Sequence, residues 1–193
     1  MNGFILAGGK SSRMGQDKGL MLLGNKLLLE YPIYLLQNVT NQIFIISSNL
    51  DYQQFGFPII SDIEPNIGPA GGILTALYYS KSEQNIILGC DMPFLSLPLL
   101  EQLISEKQNA SICIFKNETF IEPLFGIYDT DILQEWKSLL KNKNYKLEFL
   151  LSQFNTKYIQ FSSSGNLDSF VNINSKNDFE KQLQNLKNGK HYS

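Results

Sequence analysis

The stretch Leu6-Ala7-Gly8-Gly9-Lys10-Ser11-Ser12-Arg13-Met14-Gly15-Gln16-Asp17-Lys18 has the makings of a phosphate cradle. Gly8 and Gly9 carry no Cβ, so the main chain can press its N–H groups against an anion, while Lys10, Arg13 and Lys18 bring positive charge alongside. A polyphosphate needs fixed cations where charge builds up, which makes Lys18 and Arg13 the catalytic candidates. Lys10 reads as a solvent-facing charge and Asp17 as a residue that orients a neighbour. Neither common phosphate loop fits. A Walker A loop ending in Gly9-Lys10-Ser11 requires a glycine where Phe4 stands, and the glycines at 8, 9 and 15 do not make G-x-G-x-x-G.

A second candidate is Asp91, in Gly89-Cys90-Asp91-Met92-Pro93-Phe94-Leu95. A carboxylate that closes a buried apolar strand stands at the carboxyl edge of a sheet, the edge that the glycine loop also occupies. Mg²⁺ is held by one or two carboxylates plus substrate phosphates and water, so Asp91 alone is enough to recruit it with a nucleotide. The competing role for Asp91 is the cap of a helix starting near Ser96 or Leu97. Other chemistries lack material. The single histidine, His191, lies in a Lys-Asn-Gly-Lys tail near the end, and Cys90 and Cys113 sit in or beside apolar strands as small buried hydrophobes. Ser-His and Cys-His nucleophiles and sites built on several imidazoles are therefore excluded.

These residues need a scaffold. Apolar, β-rich stretches at 3–7, 42–47, 58–61, 85–89 and 111–115 alternate with amphipathic segments, the pattern of a parallel sheet with crossover helices. Unbroken runs such as Ile43-Phe44-Ile45-Ile46 suit strands covered on both faces. Helices are expected at 27–38, 72–80, 98–107, 129–141 and 146–154, with Pro32 kinking the first or delaying its start. Ser175 and Asp178 form a capping box for a last helix. Beyond about residue 117 short strands are expected at 118–122 and 124–128 around Pro123, and at 157–161 before a Ser-Ser-Ser-Gly-Asn loop, with a disordered tail after residue 189. The 193 residues, 43% hydrophobic and 18% charged, suit one domain, and a net charge of −2 gives no case for nucleic-acid or membrane partners. No run reaches the length of a membrane span, and Met1-Asn2-Gly3 enters a strand without a basic leader, so the chain reads as cytoplasmic.

The first loop resembles the L-A-G-G-x-S-x-R-M-G-x-D-K signature of nucleotidyltransferases, and within that superfamily the chain is most similar to the molybdenum cofactor guanylyltransferases, the MobA family. Cys90-Asp91-Met92-Pro93-Phe94-Leu95 resembles the family's metal segment. Asn66-Ile67-Gly68-Pro69-Ala70-Gly71-Gly72-Ile73 is similar to its G-P-L-A-G-I segment, with Ala70 and Gly71 where Leu and Ala are usual. Glu122-Pro123-Leu124-Phe125-Gly126-Ile127-Tyr128 and Phe170-Val171-Asn172-Ile173-Asn174-Ser175 resemble P-L-x-G-L-Y and F-x-N-I-N-T.

The resemblance implies an α/β fold: a Rossmann-like three-layer α/β/α sandwich with a mostly parallel sheet, of the nucleotide-diphospho-sugar transferase type. The nucleotide part would cover about residues 1–110 and the acceptor part about 111–188. It implies nucleotide binding by Leu6, Ala7, Gly8, Gly9, Lys18, Asn49, Asp62 and Asp91, and Mg²⁺ on Asp91. Asn172 and Asn174, on one face if their segment is a strand, are candidates for the acceptor or the metal shell, or are plain turn and capping residues. The implied substrates are GTP and molybdopterin, with contacts to a molybdoenzyme or chaperone that takes the product. Two alternatives stay open: CTP or UTP joined to a pterin, sugar or isoprenoid phosphate by the same fold, and a non-catalytic nucleotide-binding protein.

Overall fold

A computed structural model describes residues 1–8, 17–118, 120–161 and 167–187 of the chain. Gly9, Lys10 and Arg13 lie outside the described residues, as do the loop at 162–166, His191 and the tail expected to be disordered. Seven strands form the main sheet: β1 (Asn2–Leu6), β4 (Gln42–Ile46), β5 (Ile59–Ile60), β6 (Gln84–Gly89), β7 (Ile112–Lys116), β8 (Ile121–Asp129) and β9 (Thr156–Gln160). Between β1 and β4, two-residue strands β2 (Leu22–Leu23) and β3 (Lys26–Leu27) pair as a hairpin.

The sheet order is β5-β4-β1-β6-β8-β7-β9. The pairs β5/β4, β4/β1, β1/β6 and β7/β9 are parallel, and β8 runs antiparallel to both neighbours. This mostly parallel sheet is the one expected. The order reverses at β1, and in open α/β sheets a crevice forms beyond the carboxyl ends of the strands at such a switch.

The strand sequences are apolar on both faces because helices cover both. Ile5, Ile86, Leu88, Cys113 and Phe115 pack toward α1 (Glu30–Gln37) and α3 (Leu97–Glu106). Their neighbours Phe4, Leu6, Ile87, Ile112 and Ile114 pack toward α2 (Pro69–Tyr79), α4 (Leu133–Leu140) and α5 (Leu147–Leu151). The alternation is the period of two along a strand. A third apolar cluster joins Met21, Leu23 and Leu28 of the hairpin region to Phe94 and Ile173, with α6 (Lys176–Lys187) against it.

Three departures from the sequence expectation have local causes. The helix expected at 27–38 begins at Glu30, which puts Pro32 in its first turn, where a missing N–H costs nothing. The two short strands around Pro123 are one nine-residue strand, β8, because its register on β7 jumps between Ile114/Gly126 and Phe115/Glu122, and Pro123 falls in the interruption. Helix α2 starts at Pro69 rather than 72, so Gly72 lies inside it; a Cβ there would stand 2.6 Å from Leu6 Cδ2. Gly72 thus lets the helix close on β1, while the extra glycine, Gly71, packs against the preceding loop, where a Cβ would stand 2.7 Å from Glu64 O. The capping box forms as read: Asp178 N donates to Ser175 Oγ at 3.1 Å and Ser175 N to Asp178 Oδ2 at 2.8 Å. Among the described residues no helix is long and apolar enough to cross a membrane.

Candidate functional site

Parallel ladders carry the backbone to the rim of the sheet and stop there. Ala7 N donates to Ile46 O at 3.0 Å and Cys90 N to Leu6 O at 3.2 Å, after which the chain leaves the sheet at Gly8 and at Asp91. The rim encloses a cavity of about 1020 Å³, at the upper end of ligand-site volumes and wide enough for two substrates. Leu6, Ala7, Gly8, Lys18, Asp62, Asp91 and Asn174 all line it, so most of the residues singled out from the sequence meet in one place.

Lys18 is the only cation lining the cavity among the described residues. A short 3-10 turn, Lys18–Leu20, presents it, and its Nζ stands 3.0 Å from Asp91 Oδ2 and 3.1 Å from Asn174 Oδ1. Both charged side chains keep some exposure, 15% for Lys18 and 22% for Asp91, so the pair is reachable by a ligand. Asp91 does not cap α3; its main-chain carbonyl accepts from Ile173 N at 2.9 Å, tying the 170–175 segment to the site. That segment is not a strand, so Asn172 and Asn174 do not share a face as period two requires. Asn174 meets Lys18, whereas Asn172 Nδ2 donates to Glu122 Oε2 at 3.2 Å.

Asp62 stands across the cavity, after β5. Thr75 Oγ1 of α2 lies 3.3 Å from Asp62 Oδ1 and 2.8 Å from Gly71 O, and accepts from Ile63 N at 3.1 Å, fixing the loop to the helix. Burial raises the Asp62 carboxyl above the usual carboxylate range, with the Thr75 hydroxyl opposing. A carboxylate there suits the N–H donors of a purine pairing edge. Asn49 is placed differently: its Oδ1 accepts from Asp51 N at 2.9 Å and its Nδ2 donates to Asp17 Oδ2 at 2.8 Å. Cys90 also lines the cavity, but burial pushes its thiol up to about 12, which keeps it an inert apolar group.

Two features escaped the sequence reading. One is the set of bonds on Asp17, which gathers Asn49, already singled out by the resemblance, together with Tyr52, which no motif marked. The other is Glu122, a carboxyl only 6% exposed beside Pro123 at the start of a mostly apolar strand; an acid at that place was the available signal. Burial first, then the charge of Asp91, pushes Glu122 up to about 7 from 4.5, against bonds donated by Asn172 and Leu124 N. The folded chain therefore holds a proton that the unfolded chain releases near pH 4.5. The resulting stability is complete below that pH and is lost as pH rises through 7, a swing of about 3 kcal/mol. Glu122→Gln should raise the melting temperature at pH 8 by roughly 6–12 °C and change it little at pH 4, as read by calorimetry at both pH values.

Comparison with known proteins gives the family and the fold. Residues 3–156 match the family described as MobA-like NTP transferase domain. A Flavobacterium johnsoniae protein described as "Probable molybdenum cofactor guanylyltransferase" is 38% identical over 184 residues, covering 95% of this chain and 96% of the relative. A molybdenum cofactor guanylyltransferase of Vibrio vulnificus is 35% identical, with 88% of each chain covered. Among solved structures, molybdopterin-guanine dinucleotide biosynthesis protein A from Archaeoglobus fulgidus superposes with a TM-score of 0.81 at 23% identity, over 97% of this chain and 100% of the other. At that identity the likeness speaks for the fold, which is the nucleotidyltransferase fold also seen in a CMP:2-keto-3-deoxy-manno-octonic acid synthetase complexed with CTP, with a TM-score of 0.77, 13% identity and 97% and 98% of the two chains covered.

Proposed function

This chain belongs to the MobA-like NTP transferase family, and from that premise we propose that it is a molybdenum cofactor guanylyltransferase, moving GMP from GTP to the phosphate of molybdopterin. The observation that carries the proposal is the Lys18–Asp91 pair at 3.0 Å, set where β1 and β6 end over a cavity large enough for nucleotide and acceptor together. An oxygen of the acceptor's terminal phosphate forms a bond to the α-phosphorus of GTP, the bond from that phosphorus to the bridging oxygen breaks, and pyrophosphate leaves with the electron pair.

The acceptor is already an anion near neutral pH, so no protein nucleophile is required and catalysis is positioning plus charge neutralisation. Lys18 supplies fixed positive charge to the phosphates, with Arg13 of the first loop as its proposed companion. Leu6, Ala7 and Gly8 line the nucleotide half, with Gly9 as a further proposed contact, and Asp62 accepts from the base. Leu124 and Asn174, from the later part of the chain, wall the acceptor half.

Mg²⁺ is the proposed cofactor, and the donor set fits it. No group of three or more His, Cys, Asp or Glu that could hold a metal exists among the described residues, and the oxygen donors that meet at Lys18 are the Asp91 carboxylate and Asn174 Oδ1. A hard ion that retains waters and takes substrate phosphates needs no more from the protein. Bound on Asp91, it would neutralise charge on the transferring phosphate.

Thermal stabilisation by GTP, CTP, ATP and UTP, each with Mg²⁺, tests the assignment. A ligand at a hundred times its Kd stabilises by about 2.7 kcal/mol, or roughly 5–11 °C for a chain of this size. GTP alone should produce such a shift, and pyrophosphate should appear only when molybdopterin is added. A shift confined to CTP or UTP would reassign the substrate, and no shift with any nucleotide would overturn the proposal.

A further inference from the structure

Asp17 and Lys18 are adjacent in sequence and both line the cavity, yet they do not pair with each other; Lys18 reaches to Asp91 instead. Neutral donors occupy the Asp17 carboxylate. Oδ1 accepts from Gly19 N at 3.1 Å and from the Tyr52 hydroxyl, and Oδ2 accepts from Asn49 Nδ2 at 2.8 Å. These donors are themselves held. Tyr52 is fully buried and lies so close over residue 19 that only glycine fits beneath its ring. Asn49 N donates to Ser47 Oγ at 3.1 Å, and Ser47 Oγ donates to Ala7 O at 3.2 Å, so the bracket is anchored on the end of β1.

Released from this bracket, Asp17 would be an unshielded carboxylate next to Lys18, in competition with Asp91 and with any bound phosphate. Opposite charges within a few ångströms in a partly buried site attract strongly, and a second carboxylate facing the cavity repels an anion. We propose that Tyr52 and Asn49 are positioning residues of the phosphate site: by holding Asp17 with neutral hydrogen bonds they keep it off Lys18, so that the ammonium remains available to a polyphosphate. Asn49 then serves nucleotide binding at one remove, through Asp17. The inference rests on the reading of Lys18 as a phosphate cation, but not on the identity of the base or the acceptor.

The test measures binding of inorganic triphosphate by calorimetry to the whole chain and its variants. Tyr52→Phe, and independently Asn49→Ala, each strips one of the three donors from Asp17 and should weaken triphosphate about tenfold, because the loosened carboxylate is drawn to Lys18. In an Asp17→Asn background the same changes should cost less than about twofold, since a neutral side chain cannot compete; this non-additivity is what a purely structural role would not give. Equal losses in both backgrounds, unchanged affinity in the single variants, or no triphosphate binding by the unaltered chain would each overturn the proposal. An unaltered chain that binds triphosphate, shows this non-additivity and transfers no GMP would sink the guanylyltransferase assignment and leave the bracket standing.

Discussion

Asp91→Ala should lower kcat for guanylyl transfer by about a thousandfold, equivalent to about 4 kcal/mol of transition-state stabilisation, while weakening GTP binding less than about tenfold. Asp91 is the acid that pairs with Lys18, at 3.0 Å, and it is the carboxylate that would hold Mg²⁺. Its removal therefore costs the site its oxygen anchor and loosens the cation at the same time. On the proposed reading a nucleotide also meets Gly8 and Asp62, which line the same cavity, so the loss should fall on turnover rather than on binding. The fold should survive, because the tie from Ile173 N reaches the main-chain oxygen of residue 91, which alanine retains. Steady-state kinetics with pyrophosphate detection, together with a melting curve, check both parts. Turnover near that of the unaltered enzyme would remove Asp91 from the mechanism.

What the sequence disclosed about this site follows from how local each signal is. β1, β4 and β6 were legible because strands covered on both faces are continuous apolar runs, and their ends located Gly8 and Asp91 within a residue or two. Lys18 was legible because it belongs to a dense glycine and cation pattern. The β2/β3 hairpin was not, since strands of two residues carry no periodicity, and the expected helix ran over the second of them. β8 looked like two strands because Pro123 argues against a ladder, and only the register jump on β7 resolves that conflict. The Asp17–Tyr52 contact spans 35 positions and depends on how the turn after β4 folds back toward Asp17, which no local pattern encodes. Glu122 was visible as an acid, but its burial is a property of the packing around it.

Lys18→Met should reduce kcat/KM for GTP by about a hundredfold to a thousandfold, with the loss divided between KM and kcat. Methionine keeps most of the length and apolar stem of lysine and deletes the charge, so packing changes little. The triphosphate carries negative charge in the ground state, which accounts for the KM component; charge shifting toward the leaving pyrophosphate accounts for the kcat component. Lys18→Arg should rescue poorly. The lysine nitrogen contacts Asp91 and Asn174 as a compact point charge, and a planar guanidinium cannot occupy the same spot between two oxygens 3.0 and 3.1 Å away. Because Lys18 and Asp91 are direct partners, the double variant Lys18→Met/Asp91→Ala should lose far less than the product of the two single losses. If Lys18→Met instead stays within about fivefold of the unaltered enzyme, phosphate charge must be handled by the other cations of the first loop, and Lys18 would be reduced to a structural partner of Asp91.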